Sequence, residues 1–161
     1  MAGSVLAVLF GFSPWLVVDL GAGDTTLTGW GTIGGGDAGG ENINDYILQG
    51  GLSYRPALLP TALAALAVLA GFRMLFARSK IAAAGAIASG GFIAIWGGYS
   101  ALSPSTVGGV LDAGESRSSV GPWLLLAAGL VVVGAGLWVI LGRAAAPTVP
   151  VARTRGIQHP R

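Results

Sequence analysis

The sequence predicts an all-α membrane protein: a four-helix transmembrane bundle with a Gly-rich first extracytoplasmic loop that has β-forming character. Three observations predict it. The chain holds four long apolar runs; only 10% of its 161 residues are charged, against about 25% in soluble domains; and its basic residues collect on one side of those runs. The mean hydropathy of +0.72 agrees.

The first run, Val5 to Leu20, has 16 residues. With part of Met1 to Ser4 it makes a span of about residues 4–20, kinked at Pro14. A cleaved signal peptide requires a positively charged start and a small-residue cleavage site. Met1 to Ser4 carries no charged side chain, and Leu20-Gly21-Ala22-Gly23 is a poor cleavage match, so an uncleaved span is expected. Three further spans follow at about 57–76, 81–102 and 122–141, each near the 20 residues that cross about 30 Å of hydrocarbon. Pro60 falls early in the second, where its missing N–H is tolerated. The connection Ala77 to Lys80 is short enough to make the second and third spans an antiparallel hairpin.

The outer loops are expected at 21–56 and 103–121. Within the first, Thr25 to Ile33 is rich in β-formers, and Asn42 to Leu48 suits a short helix or strand. The 144–161 tail, with its prolines and arginines, reads as a disordered basic cytoplasmic segment.

Orientation follows from the bases. Arg73, Arg78 and Lys80 surround the hairpin connection, and Arg143, Arg153, Arg155 and Arg161 follow the fourth run. On the other side lie Asp19, Asp24, Asp37, Glu41, Asp45, Asp112 and Glu115, with only Arg55 and Arg117 as bases. The positive-inside rule makes the basic side the cytoplasm. The expected location is a bacterial inner (cell) membrane, multi-pass, with both termini cytoplasmic. The pI of about 9.5 is therefore a topology signal, and nucleic acid is not expected as a partner.

The third span carries small residues at every fourth position: Ala82, Ala86, Gly90, Ala94 and Gly98. Such residues let another backbone approach closely, so they are the candidate helix-packing face. Trp15, Trp96, Tyr99, Trp123 and Trp138 lie near span ends and read as interfacial anchors. Trp30, with Asp37, Glu41 and Asp45, forms a candidate partner-docking loop. Asp37, Glu41 and Asp45 stand four apart with Asn42 and Asn44 between, yet the spacing does not fit a calcium loop. Gly29-Trp30-Gly31-Thr32-Ile33-Gly34 matches a dinucleotide fingerprint, but more glycines follow where a helix should open.

Chemistry is scarce. There is no cysteine and a single histidine, His159, so neither a metal centre nor a nucleophile–base pair is expected. No ionisable residue falls at mid-span depth, where ion-coupled transporters keep their charges. No cofactor is expected.

The layout resembles the tryptophan-associated transmembrane proteins of actinobacteria. The residues that carry it are Ser13-Pro14-Trp15-Leu16-Val17-Val18, the run Pro56-Ala57-Leu58-Leu59-Pro60-Thr61-Ala62-Leu63-Ala64-Ala65-Leu66-Ala67, and Gly121-Pro122-Trp123. They cover span openings across about three quarters of the chain. The tail departs from that family's aromatic, basic ending, reading Arg153-Thr154-Arg155-Gly156-Ile157. The resemblance implies a source and a topology more than an activity. The expected function is a non-catalytic accessory or scaffold subunit of an inner-membrane complex. Its expected partners are the lipid bilayer and other membrane protein subunits. The alternative is a small oligomeric transporter or channel, self-associated along the third span.

Overall fold

A computed structural model describes residues 2–19, 24–36, 38–47, 54–77, 79–104 and 116–144. In chain order the elements are α1 (Ala2–Phe10), β1 (Pro14–Asp19), β2 (Asp24–Thr28), β3 (Ile33–Gly34), α2 (Ile43–Ile47), α3 (Leu58–Ala77), α4 (Lys80–Leu102), β4 (Ser116–Ser118) and α5 (Val120–Ala144). Among the described residues the fold is thus five helices with a four-stranded antiparallel sheet of order β3-β2-β1-β4. This corrects the expectation of an all-α four-helix transmembrane bundle. Among the described residues two helices are long and apolar enough to cross a membrane, Lys80–Leu102 and Val120–Gly142; α3 contributes a shorter apolar stretch, Leu58–Met74.

The first apolar run is where the expectation fails. It divides into a nine-residue helix and a strand. The last turn of α1 tightens into i→i−3 bonds, with Gly11, Phe12 and Ser13 donating to the carbonyls of Val8, Leu9 and Phe10. The Ser13 hydroxyl also donates to Phe10 O at 2.6 Å. Pro14 then has no N–H with which to continue the ladder. Trp15-Leu16-Val17-Val18 is the aromatic and β-branched composition that suits a pleated strand. An apolar run reads the same whether helix or buried strand, so hydropathy merged the two. Instead of kinking a span, Pro14 ends it.

The sheet borrows from three regions that read separately in sequence. β1 comes from the first apolar run, β2 and β3 from the first expected outer loop, and β4 from the second. The β1–β2 register passes from Pro14↔Thr28 to Leu16↔Leu27, leaving Trp15 as an extra, bulged residue. A bulge re-aims a side chain, and this one goes into the helices. Leu16 and Val18 alternate to the opposite face. There they join Leu27, Ile33 and Tyr54, with Ala38 and Ile43 packed over them.

Two cores result. One holds Trp15 with Ala7, Ala57, Ala64, Ile93, Leu125 and Ala128, joining the sheet to α1, α3, α4 and α5. The other lies between the sheet and the segment bearing α2. A smaller cluster of Ala67, Ala86 and Val132 continues down the helices.

The α4–α5 seam is the closest helix contact. A Cβ on Gly97 would lie 2.5 Å from Leu126 N, one on Gly90 2.8 Å from Val132 Cγ1, and one on Gly136 2.6 Å from Ile87 Cγ1; one on Gly129 would collide with the Ala94 backbone. Partner numbers fall along α5 as they rise along α4, so the pair is antiparallel. The Ser79 hydroxyl caps α4, accepting from Ala82 N at 3.3 Å, as N-terminal serines do.

Candidate functional site

The antiparallel packing sorts charge to the two ends of the helices. Arg73 near the end of α3, Lys80 at the start of α4 and Arg143 at the end of α5 share one end. The sheet occupies the other, with Asp24, Glu41, Asp45, Arg55 and Arg117; Arg117 and Asp24 form an exposed ion pair at 3.5 Å. Between these ends α3, α4 and α5 carry no charged residue.

That uncharged collar presents large apolar side chains outward. On α3 they include Leu59, Leu66, Leu69, Phe72 and Phe76; on α4, Ile81, Ile95 and Leu102; on α5, Leu130, Val131, Leu137 and Leu141. Phe76 and Ile81 are each 85% exposed. Soluble monomers rarely show contiguous apolar patches above a few hundred Å².

The aromatic residues divide by environment. Trp15 is fully buried and its indole N–H donates to Phe10 O at 3.0 Å, so it acts as a core wedge. Trp96 is half-buried and donates to Pro56 O at 3.0 Å, tying α4 to the entry of α3. Its ring stacks on Phe92 and tilts against Tyr99, with centroids 6.3 and 6.4 Å apart. Tyr99 and Trp123 are exposed near the sheet end, while Trp138, 80% exposed, lies toward the basic end. Trp30 packs against Phe12, centroids 6.0 Å apart, and its indole nitrogen is buried without a partner among the described residues.

The small-residue ladder is split between neighbours. Steps of four residues advance about 400° around a helix of 3.6 residues per turn, so the ladder drifts about 40° each time. Ala82 and Ala86 are buried, Ala86 in the cluster with Ala67 of α3. Gly90 and Ala94 meet Val132 and Gly129 of α5, and Gly98 reaches only the tip of Leu126. The seam against α5 follows Ala83, Ile87, Gly90, Ala94 and Gly97, steps of three and four that hold one face.

In the expected docking loop, Glu41 and Asp45 are exposed and Asp37 lies outside the described residues. No group of three potential metal ligands occurs among those described. The amides between them serve the fold. Asn44, 5% exposed, accepts from Tyr54 N at 2.6 Å and donates to Tyr54 O at 3.0 Å. Its side chain also donates to Asn42 Oδ1 at 2.8 Å, and Asn42 in turn donates to Trp30 O at 3.2 Å. Gly31, at φ 85°, makes room beside them. This clamp draws the chain around Trp30, α2 and Tyr54 together. The Tyr54 hydroxyl has no partner among the described residues, and burial pushes its pKa up. Sequence reasoning noted Asn44 only as an amide between spaced carboxylates and passed over Tyr54. The signal was Asn-x-Asn beside a β-forming stretch, since short amides commonly bond nearby backbone.

Comparison with family models, with characterised proteins and with solved structures finds no match to this chain.

Proposed function

We propose that the chain is a non-catalytic accessory or scaffold subunit of a bacterial inner-membrane complex, with the sheet module on the extracytoplasmic face as its docking platform. The observation that carries this reading is the charge-free collar of outward leucine, isoleucine and phenylalanine between a basic end and a sheet end. Lipid is the solvent that such a collar suits. In this reading α4 and α5 cross the bilayer with α3 packed beside them, and Arg73, Lys80 and Arg143 face the cytoplasm. The aromatic group of Phe92, Trp96, Tyr99 and Trp123 then lies toward the outer interface, where amphipathic rings settle. The Asn42 and Asn44 amides of the platform bond backbone, a structural role that suits a scaffold. The Gly-to-backbone contacts along the α4–α5 seam favour a scaffold over a conduit, because they close that seam.

Purification from native membranes in mild detergent tests the reading. A stoichiometric membrane partner is expected, and it should be lost when Trp30 and Glu41 are replaced together. A chain that elutes alone from gently solubilised membranes defeats it.

A further inference from the structure

α3 and α4 pack side by side, with Ala67 and Ala86 in one shared cluster, and a second face opens outward between them. There a groove of 500 Å³ runs along both helices. On α3 its wall is Leu59, Leu63, Leu66 and Ala70, a stripe in steps of four and three that holds one helix face. On α4 its floor is Gly85, Ala88 and Ser89. Small side chains keep that floor low, and a Cβ on Gly85 would meet nothing within 4 Å. Phe92 stands at the far end, stacked on Trp96. The one hydroxyl in the lining is already satisfied, since Ser89 donates to Gly85 O at 2.8 Å and to Ala86 O at 3.2 Å. The groove therefore takes an apolar occupant.

Its mouth is basic. One further step of three along the α3 stripe, past Ala70, is Arg73; one turn before Gly85 on α4 is Ile81, next to Lys80. Arg73 and Lys80 are exposed, and neither forms an ion pair among the described residues. The described acidic side chains, Asp24, Glu41 and Asp45, lie at the sheet end. Two basic side chains thus stand without a counter-charge beside an apolar channel. From Ile81 to Phe92, α4 rises about 16 Å, close to half of the roughly 30 Å hydrocarbon core and so to the depth of one leaflet. A partner helix suits the walls but leaves the bases unanswered. A free phosphate suits the bases but not the walls. An anionic phospholipid supplies both, because its phosphate sits at the level of the helix ends and its chain runs inward beside them.

We propose that this groove holds an acyl chain of an anionic phospholipid from the leaflet at the basic end, with Arg73 and Lys80 at its headgroup. The proposal rests on the membrane assignment within the accessory-subunit reading and adds a specific lipid site to it.

Native mass spectrometry of the purified full chain in mild detergent tests this, with phosphatidylglycerol or phosphatidylcholine added at equal concentration. A Lys or Arg beside an anionic headgroup gives about a fivefold preference. The wild type should retain one phosphatidylglycerol at about tenfold lower concentration than it needs for phosphatidylcholine. Arg73→Gln combined with Lys80→Gln should bring the two lipids level. Gly85→Phe, whose ring fills the groove without displacing backbone, should weaken retention of phosphatidylglycerol about tenfold. Gly134→Phe, equally unobstructed on α5, should leave it unchanged. Equal retention of both lipids by the wild type, or retention indifferent to Gly85→Phe, overturns the proposal. So does displacement of the lipid by glycerol phosphate, which carries the charge without a chain. A dimer mass that Gly85→Phe abolishes also overturns it, because a second copy then fills the groove. The broader reading fails separately. A chain that stays monodisperse in plain buffer loses the membrane assignment itself, whereas a detergent-dependent chain without the lipid preference loses only this site.

Discussion

Trp15 joins the two halves of the molecule. Its carbonyl accepts from Ser119 N at 3.0 Å while its ring lies in the helical core, so one residue ties β1, the approach to α5 and the cluster around Ile93. Trp15→Ala should cost about 3–5 kcal/mol, read as a lower midpoint in thermal unfolding. Trp138→Ala, in an exposed side chain, should change that midpoint little. The Asn44 clamp offers a second test. Asn44→Ala leaves the Tyr54 N–H and carbonyl buried without partners, at about 1–3 kcal/mol for each orphaned group. Tyr54→Phe removes only a hydroxyl without a partner among the described residues and should be close to neutral at pH 7. Above about pH 10, the ordinary phenol value, the two proteins should diverge. The unfolded chain releases the Tyr54 proton there while the folded chain holds it. Wild-type stability is therefore fully present below that pH and falls as pH rises, by about 1.4 kcal/mol per unit. Tyr54→Phe should lack that component in a pH series of denaturant melts.

At the scale of elements, the α4–α5 seam depends on missing side chains. Gly129→Val would drive a branched side chain into the Ala94 backbone, and overpacking of this kind costs about 1–3 kcal/mol or more. Gly134 sits on the same helix, but its Cβ would meet nothing within 4 Å. Gly134→Ala should therefore stabilise α5 by about 1 kcal/mol from helix propensity alone. Measured together by thermal melting, the two substitutions should shift the midpoint in opposite directions. Loss of stability in both would mean that Gly134 is covered by a partner. The periodicity of α4 was readable as small residues on a helix. Its division between α3 and α5 was not, because a strict four-residue step rotates from one neighbour to the other.

For the whole molecule, charge sorting makes the orientation testable. A reporter fused after Arg161 should read as cytoplasmic, and Arg117→Cys should react with an impermeant thiol reagent from outside intact cells. Replacing Arg73, Lys80 and Arg143 together by glutamine should mix the orientations, because those bases bias the topology. Reaction of Arg117→Cys only in inverted vesicles would reverse the assignment. The stretches of α3, α4 and α5 were plain from hydropathy, being unbroken apolar runs with polar punctuation. The sheet was legible only in fragments, since Thr25 to Ile33 announces strands but not their partners.

The order of residues along this chain was enough to locate three long apolar helices, their uncharged lengths and the segregation of bases to one end, because each of these properties is local. Tertiary structure alone decided that Trp15-Leu16-Val17-Val18 is a strand. Its hydrogen bonds go to Thr25–Thr28 and to Ser116–Ser118, the latter about a hundred residues away, and no window on hydropathy sees such partners. The Asn44–Tyr54 clamp spans only ten residues, yet it too exists only once the two segments are brought face to face.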